Sequence, residues 1–149
     1  MKSQLYLSGS IEFNKDPDTW REKMFHALKR KYKVLIPWED DPPAKKGTPE
    51  YRNWIFENFI TPDMSDVARC KYIFVRLDKG VFKGAGTISE LALAAWLNKH
   101  IVVMLDGIKE EDIPGWTCGC LRDAVFVKTV DEAIEYYKEL VDVITDRNG

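Results

Sequence analysis

The chain has 149 residues, 45% of them apolar, enough for one domain with a buried core and too many for a disordered segment. Its formal charge is −2, from 22 Lys and Arg against 24 Asp and Glu, so it has no basic footprint for a nucleic-acid polymer. Three cysteines, Cys70, Cys118 and Cys120, leave an odd thiol, and neither a leader nor a membrane-length apolar run is visible, so reduced cytoplasm is the expected setting.

The run "QLYLSGS", residues 4–10, reads as a first strand ending in small residues. "DPDTWREKMFHALKRKY" follows as a helix with Trp20, Met24, Ala27 and Leu28 on one face. Asp16 or Asp18 can cap it, and Thr19 with Glu22 fits a capping box. The basic cluster Lys29, Arg30, Lys31 and Lys33 reads as the solvated end of this helix. "KVLIP" is a short buried strand stopped by Pro37, and the proline- and charge-rich run from Trp38 to Glu50 is a loop. "YRNWIFENFI" has helical spacing, Pro62 is expected to start a new turn, and "DMSDVARC" to form a second short helix.

"YIFVRL" is the strongest strand, and an apolar helix is expected from about Thr87 to Asn98. "IVVML" and "AVFVK" complete five strands, the last after a Gly/Pro/Cys loop. A final helix starts at Thr129, with Glu132 completing a capping box and an apolar stripe running from Val130 through Val141 to Ile144. Strands and helices alternate, and the central strands are apolar on both faces. A single α/β domain over residues 1–149 is expected: a doubly wound, mostly parallel five-stranded sheet of Rossmann or flavodoxin type with helices on both faces. In such sheets ligands bind at the carboxyl ends of the strands.

Three stretches deliver chemistry to that edge. "GAGTISEL" is a poor phosphate cradle, because Thr87-Ile88 stands where a P-loop needs lysine and a hydroxyl residue, and Ser89 where a dinucleotide fingerprint needs glycine or alanine. Thr87 and Glu90 fit a capping box. Glu90 fits equally a carboxylate held ionised by the helix dipole for attack at a sugar carbon. Asp63 is the second acid placed toward the edge, with Asp66 a turn further on, and two carboxylic groups are the usual equipment of glycosyl transfer. "SGSIEF" adds the hydroxyls of Ser8 and Ser10 and the amides of Gly9 and Ile11. Cys118-x-Cys120 offers two metal ligands at most, with neither His26 nor His100 near in sequence, so no metal or other cofactor is expected.

Four of these pieces in order, "YLSGSI", "DTWREKMFHAL", "DMSDVARCKYIFV" and "GAGTISELALA", resemble the nucleoside 2-deoxyribosyltransferase family and the related 2′-deoxynucleoside 5′-monophosphate N-glycosidases, over roughly Leu5 to Leu105. The resemblance implies that Glu90 is the nucleophile forming a covalent glycosyl intermediate, that Asp63 assists departure of the base, and that Tyr6 orients the nucleophile. It places Ser8, Gly9, Ser10 and Ile11 in the turn that holds a 5′-phosphate in the glycosidase relatives, and Gly84, Gly86 and Thr87 beside the substrate. Gly84 stands where many transferases carry an aspartate, and Lys71 where a strand-leading aspartate is usual. The first departure tilts toward a nucleotide substrate. The expected partners are a nucleoside or nucleotide and a free nucleobase, and the expected assembly is a homo-oligomer with shared pockets. Trp38 and its loop are expected to cover the base. A non-catalytic nucleotide sensor, keeping Glu90 only as a cap, is the rival reading; a dinucleotide-dependent reductase is a third.

Overall fold

A computed structural model describes residues 1–37 and 41–141. Five strands form one sheet: β1 (Ser3–Gly9), β2 (Tyr32–Leu35), β3 (Tyr72–Leu77), β4 (His100–Leu105) and β5 (Val125–Val127). Every pairing is parallel, and the spatial order is β2-β1-β3-β4-β5. This is the flavodoxin-like order, in which the chain reverses direction across the sheet between β1 and β3.

A strand's period of two divides the core cleanly. Leu5, Leu7, Tyr72, Phe74, Val102 and Met104 face one side, under α1 (Thr19–Leu28) and α6 (Val130–Glu139). Tyr6, Ile73, Val75, Leu77, Ile101 and Val103 face the other, under α3 (Thr61–Arg69), α4 (Gly86–Trp96) and α5 (Gly115–Cys120). No described helix is long and apolar enough to cross a membrane.

Several local expectations need correction. α1 spans its whole apolar face; its first turn is held by Asp16, whose Oδ1 accepts from the amide and hydroxyl of Thr19, so Thr19 is held rather than capping. Lys31, read as solvated, donates from Nζ to the carbonyls of Tyr137 and Lys138 at 2.8 and 3.0 Å, and thereby caps the carboxyl end of α6. α6 ends at Glu139, with Leu140 extended and Val141 exposed, so the apolar stripe stops early; Ile144 lies outside the described residues. Its start is as expected: Thr129 accepts from the Glu132 amide, while the Glu132 carboxylate reaches the Lys128 amide. Where a plain loop was expected before β5, α5 forms.

The largest departure surrounds Pro62. No new turn begins there. The chain runs as one helical path from α2 (Pro49–Ile55) through a π-helical turn (Phe56–Ile60) into α3. Pro62 has no amide for the carbonyl four residues back, and its ring crowds that carbonyl. The widened turn relieves the clash: the Thr61 amide reaches back five residues to the Phe56 carbonyl.

Candidate functional site

The βα loops that leave β1 and β3 part in opposite directions, and a cavity of about 210 Å³ opens between them at the carboxyl edge. Glu90 and Asp63 both line it. So do Gly9, Ser10 and Ile11 from the first turn, and Gly84, Gly86 and Thr87 from the entry to α4. Tyr6 and Ser8 are fully buried beneath it. Trp38 lies outside the described residues.

Glu90 is 6% exposed, and both of its carboxylate oxygens are taken. The Tyr6 hydroxyl donates to Oε2 at 2.6 Å, and the Ser8 hydroxyl to Oε1 at 2.5 Å. The two donors are two residues apart on β1, so the strand's alternation puts both on the face that α4 covers. The Ser8 hydroxyl is therefore engaged with Glu90, and the Ser10 hydroxyl donates to Asp78 at 3.1 Å. Asp78 also accepts from Asn14 Nδ2, Arg76 Nη1 and the Val81 amide, and so ties the first turn to the loop after β3.

The expected capping box at the start of α4 does not form. The helix begins at Gly86, its N-cap is Ala85 without a side-chain bond, and Glu90 is a full turn inside. The helix dipole falls off within the first turn, so it does not hold Glu90 ionised as expected. Burial dominates instead and pushes the Glu90 carboxyl above the usual range, against the opposing hydrogen bonds of Ser8 and Tyr6 and the charge of Arg21. The Tyr6 phenol is pushed far above its ordinary range, first by burial, then by the charges of Glu90 and Asp63. Tyr6 thus remains a proton donor to Glu90 at any ordinary pH.

Asp63 lies in the first turn of α3, but the helical path continues upstream and Ile60 holds the N-cap position, so the N-cap reading of this acid does not apply. Phe59, one helical turn earlier, lines the cavity beside it. Phe13 and Glu12 also line the cavity. Phe59, Phe13 and Glu12 were not singled out from sequence as site residues; the i, i+4 relation of Phe59 to Asp63 was the available signal for the first of the three. Gly84 is extended, and a Cβ there would meet the edge of the Phe13 ring at 3.2 Å. Gly80 is more constrained, since its Cβ would come within 2.5 Å of the Phe13 carbonyl oxygen. Among the described residues, no group of three or more His, Cys, Asp or Glu side chains is gathered to hold a metal ion.

The fold and site together define a flavodoxin-like α/β domain with a buried, doubly hydrogen-bonded carboxylate at its switch point. No protein-family model matches the chain, and no curated protein matches it in sequence. Among solved structures, the chain is similar to the CMP N-glycosidase BcmB of Clostridium botulinum. The TM-score is 0.58 at 12% identity, over 93% of this chain and 100% of that one. It is also similar to the TIR domains of the activated Roq1 resistosome that directly recognises the pathogen effector XopQ, with a TM-score of 0.53 at 14% identity, over 99% of this chain and 78% of that one. These likenesses establish the fold.

Proposed function

We propose that the protein cleaves the N-glycosidic bond of a nucleoside or nucleotide, with Glu90 as the nucleophile. The observation that carries this reading is the pair of short hydrogen bonds from Tyr6 and Ser8 that fix both oxygens of a buried carboxylate at the wall of a cavity also lined by Asp63. A Glu90 oxygen bonds to the anomeric carbon as the carbon–nitrogen bond breaks, and the electron pair leaves with the base. Asp63 faces the departing base and assists its uptake of a proton. A second base or water then attacks the same carbon and releases Glu90.

The resemblance in sequence motifs favours deoxyribosyl transfer to a second base. The likeness to a CMP N-glycosidase favours water as acceptor and a nucleotide as substrate. No metal or organic cofactor takes part, and a homo-oligomer with shared pockets belongs to the same proposal. Product chromatography after incubation with deoxynucleosides, their monophosphates and CMP, each with and without an acceptor base, tests it. Free base or exchanged nucleoside is expected, and turnover should fall by about 10³-fold or more in Glu90→Gln. Binding of nucleotides without any release or exchange would instead support a sensor.

A further inference from the structure

Arg21 is an α1 side chain only 1% exposed. A buried guanidinium is costly unless its donors are satisfied, and here backbone carbonyls accept from all three nitrogens. Nε donates to Leu7 at 3.3 Å, Nη2 to Gly9 at 2.7 Å and Nη1 to Pro17 at 2.6 Å. The first two are the carbonyls on either side of Ser8. They also lie where β1 has outrun its neighbour: β2 ends at Leu35, opposite Tyr6, while β1 continues to Gly9. The guanidinium thus holds the overhanging end of β1 in extended form. Its plane lies against Trp20, 4.5 Å from the ring centroid, and a Cβ at Gly9 would collide with that same ring at 2.8 Å.

We propose that Arg21 is a positioning residue for Glu90: it holds the carbonyls of Leu7 and Gly9, the residues on either side of Ser8, so aims the Ser8 hydroxyl at the carboxylate, and supplies buried positive charge behind it. The proposal rests on Glu90 being the reacting group, but its geometry does not depend on the substrate. Glu90 is the only charged residue of α4. Tyr6 from β1 and Arg21 from α1 act on it directly, and Asp63 from α3 and Glu12 from the first turn line the same cavity. Arg21 is the cation of that set. Its charge favours the anionic form of Glu90, in opposition to burial.

The test compares Arg21→Lys, Arg21→Gln and Arg21→Met with the parent protein, reading Glu90 directly by carbon NMR of its labelled carboxyl as the pH is varied. Removing the positive charge raises the pH at which Glu90 ionises in the Gln and Met variants, whereas Lys keeps it near the parent value. The acid limb of kcat/KM should move up in step, and kcat should fall more than KM rises. A role in holding the backbone alone would lower the thermal midpoint of all three variants and leave the Glu90 titration where it was. An unmoved titration in a folded Arg21→Gln protein overturns the proposal. Should Arg21→Gln fail to fold, the Met variant decides: a Glu90 that ionises at higher pH than in the parent supports the proposal, and one that ionises as in the parent overturns it. A parent protein that releases no base overturns the proposed function instead, while the carboxyl titration still decides the role of Arg21.

Discussion

The hydroxyl of Tyr6 lies 2.6 Å from Oε2 of Glu90, and the two groups are 84 residues apart in the chain. Only the parallel pairing of β1 with β3, and the seating of α4 over both, brings them together. Tyr6→Phe keeps the ring and removes the donor. A hydrogen bond to a charged group contributes about 1.5–3 kcal/mol, so turnover should fall by about 10–100-fold with the fold intact. Ser8→Ala acts on the other oxygen of the same carboxylate. The double variant should therefore lose less than the product of the two single losses, a non-additivity that a kinetic double-mutant cycle reads directly.

The pH dependence of activity and of stability should run in opposite directions at Glu90. In the proposed reaction attack needs the carboxylate, and burial raises the pH at which it forms, so the acid limb of activity should lie above the ordinary glutamate range. For stability the sign reverses. Between the unfolded and the raised folded pKa the native state holds more protons than the unfolded chain, so this group's contribution falls as pH rises through that window. Glu90→Gln removes the burden, because the hydroxyls of Tyr6 and Ser8 can turn to suit the amide. Its thermal midpoint at neutral pH should rise by about 2–4 °C for each kcal/mol relieved, while turnover is lost.

The two glycines around Phe13 should respond differently. Gly80→Ala drives its Cβ into a backbone carbonyl oxygen, which cannot swing away, and should cost about 1–3 kcal/mol in denaturant unfolding. Gly84→Ala meets only the edge of the Phe13 ring and should cost less, with a change in substrate affinity as the ring shifts in the cavity wall.

Trp96 and Trp116 are 84% and 79% exposed on neighbouring helices and line one groove with Lys99, Arg122 and Asp123 at its margin. Charges of both signs around an apolar centre suit a second copy related by a two-fold axis. Sedimentation velocity is expected to show a dimer or larger species, and Trp96→Glu to return it to monomer. A parent protein that sediments as a monomer at all concentrations would rule out this face as a self-association surface.

The alternation of apolar strands with amphipathic helices was enough to read the layered α/β architecture, because a parallel sheet covered on both faces leaves no polar side on its central strands. Glu90, Asp63 and the first turn were legible as groups at the carboxyl edge for the same topological reason. The misreadings at that edge were local. Thr87-x-x-Glu90 matches a capping box letter for letter, yet the helix starts at Gly86, and nothing in a four-residue spacing records where the first helical turn falls. Arg21 was hidden because an arginine on an amphipathic helix ordinarily faces water. Only the unequal lengths of β1 and β2, a tertiary fact, leave carbonyls for it to meet.

The π-helical turn before Pro62 acts as a phase shifter. An α-helix advances about 100° per residue, so the one extra residue in that turn rotates everything upstream by about that angle relative to α3. Phe59 and Asp63 meet the cavity in this phase, while Phe56 and Ile60 remain exposed. Deleting a single residue from Phe56–Ile60 would keep nearly all the composition of this wall and change which side chains compose it. The angular setting of one turn thereby becomes a variable through which such a pocket can be re-specified without touching Glu90.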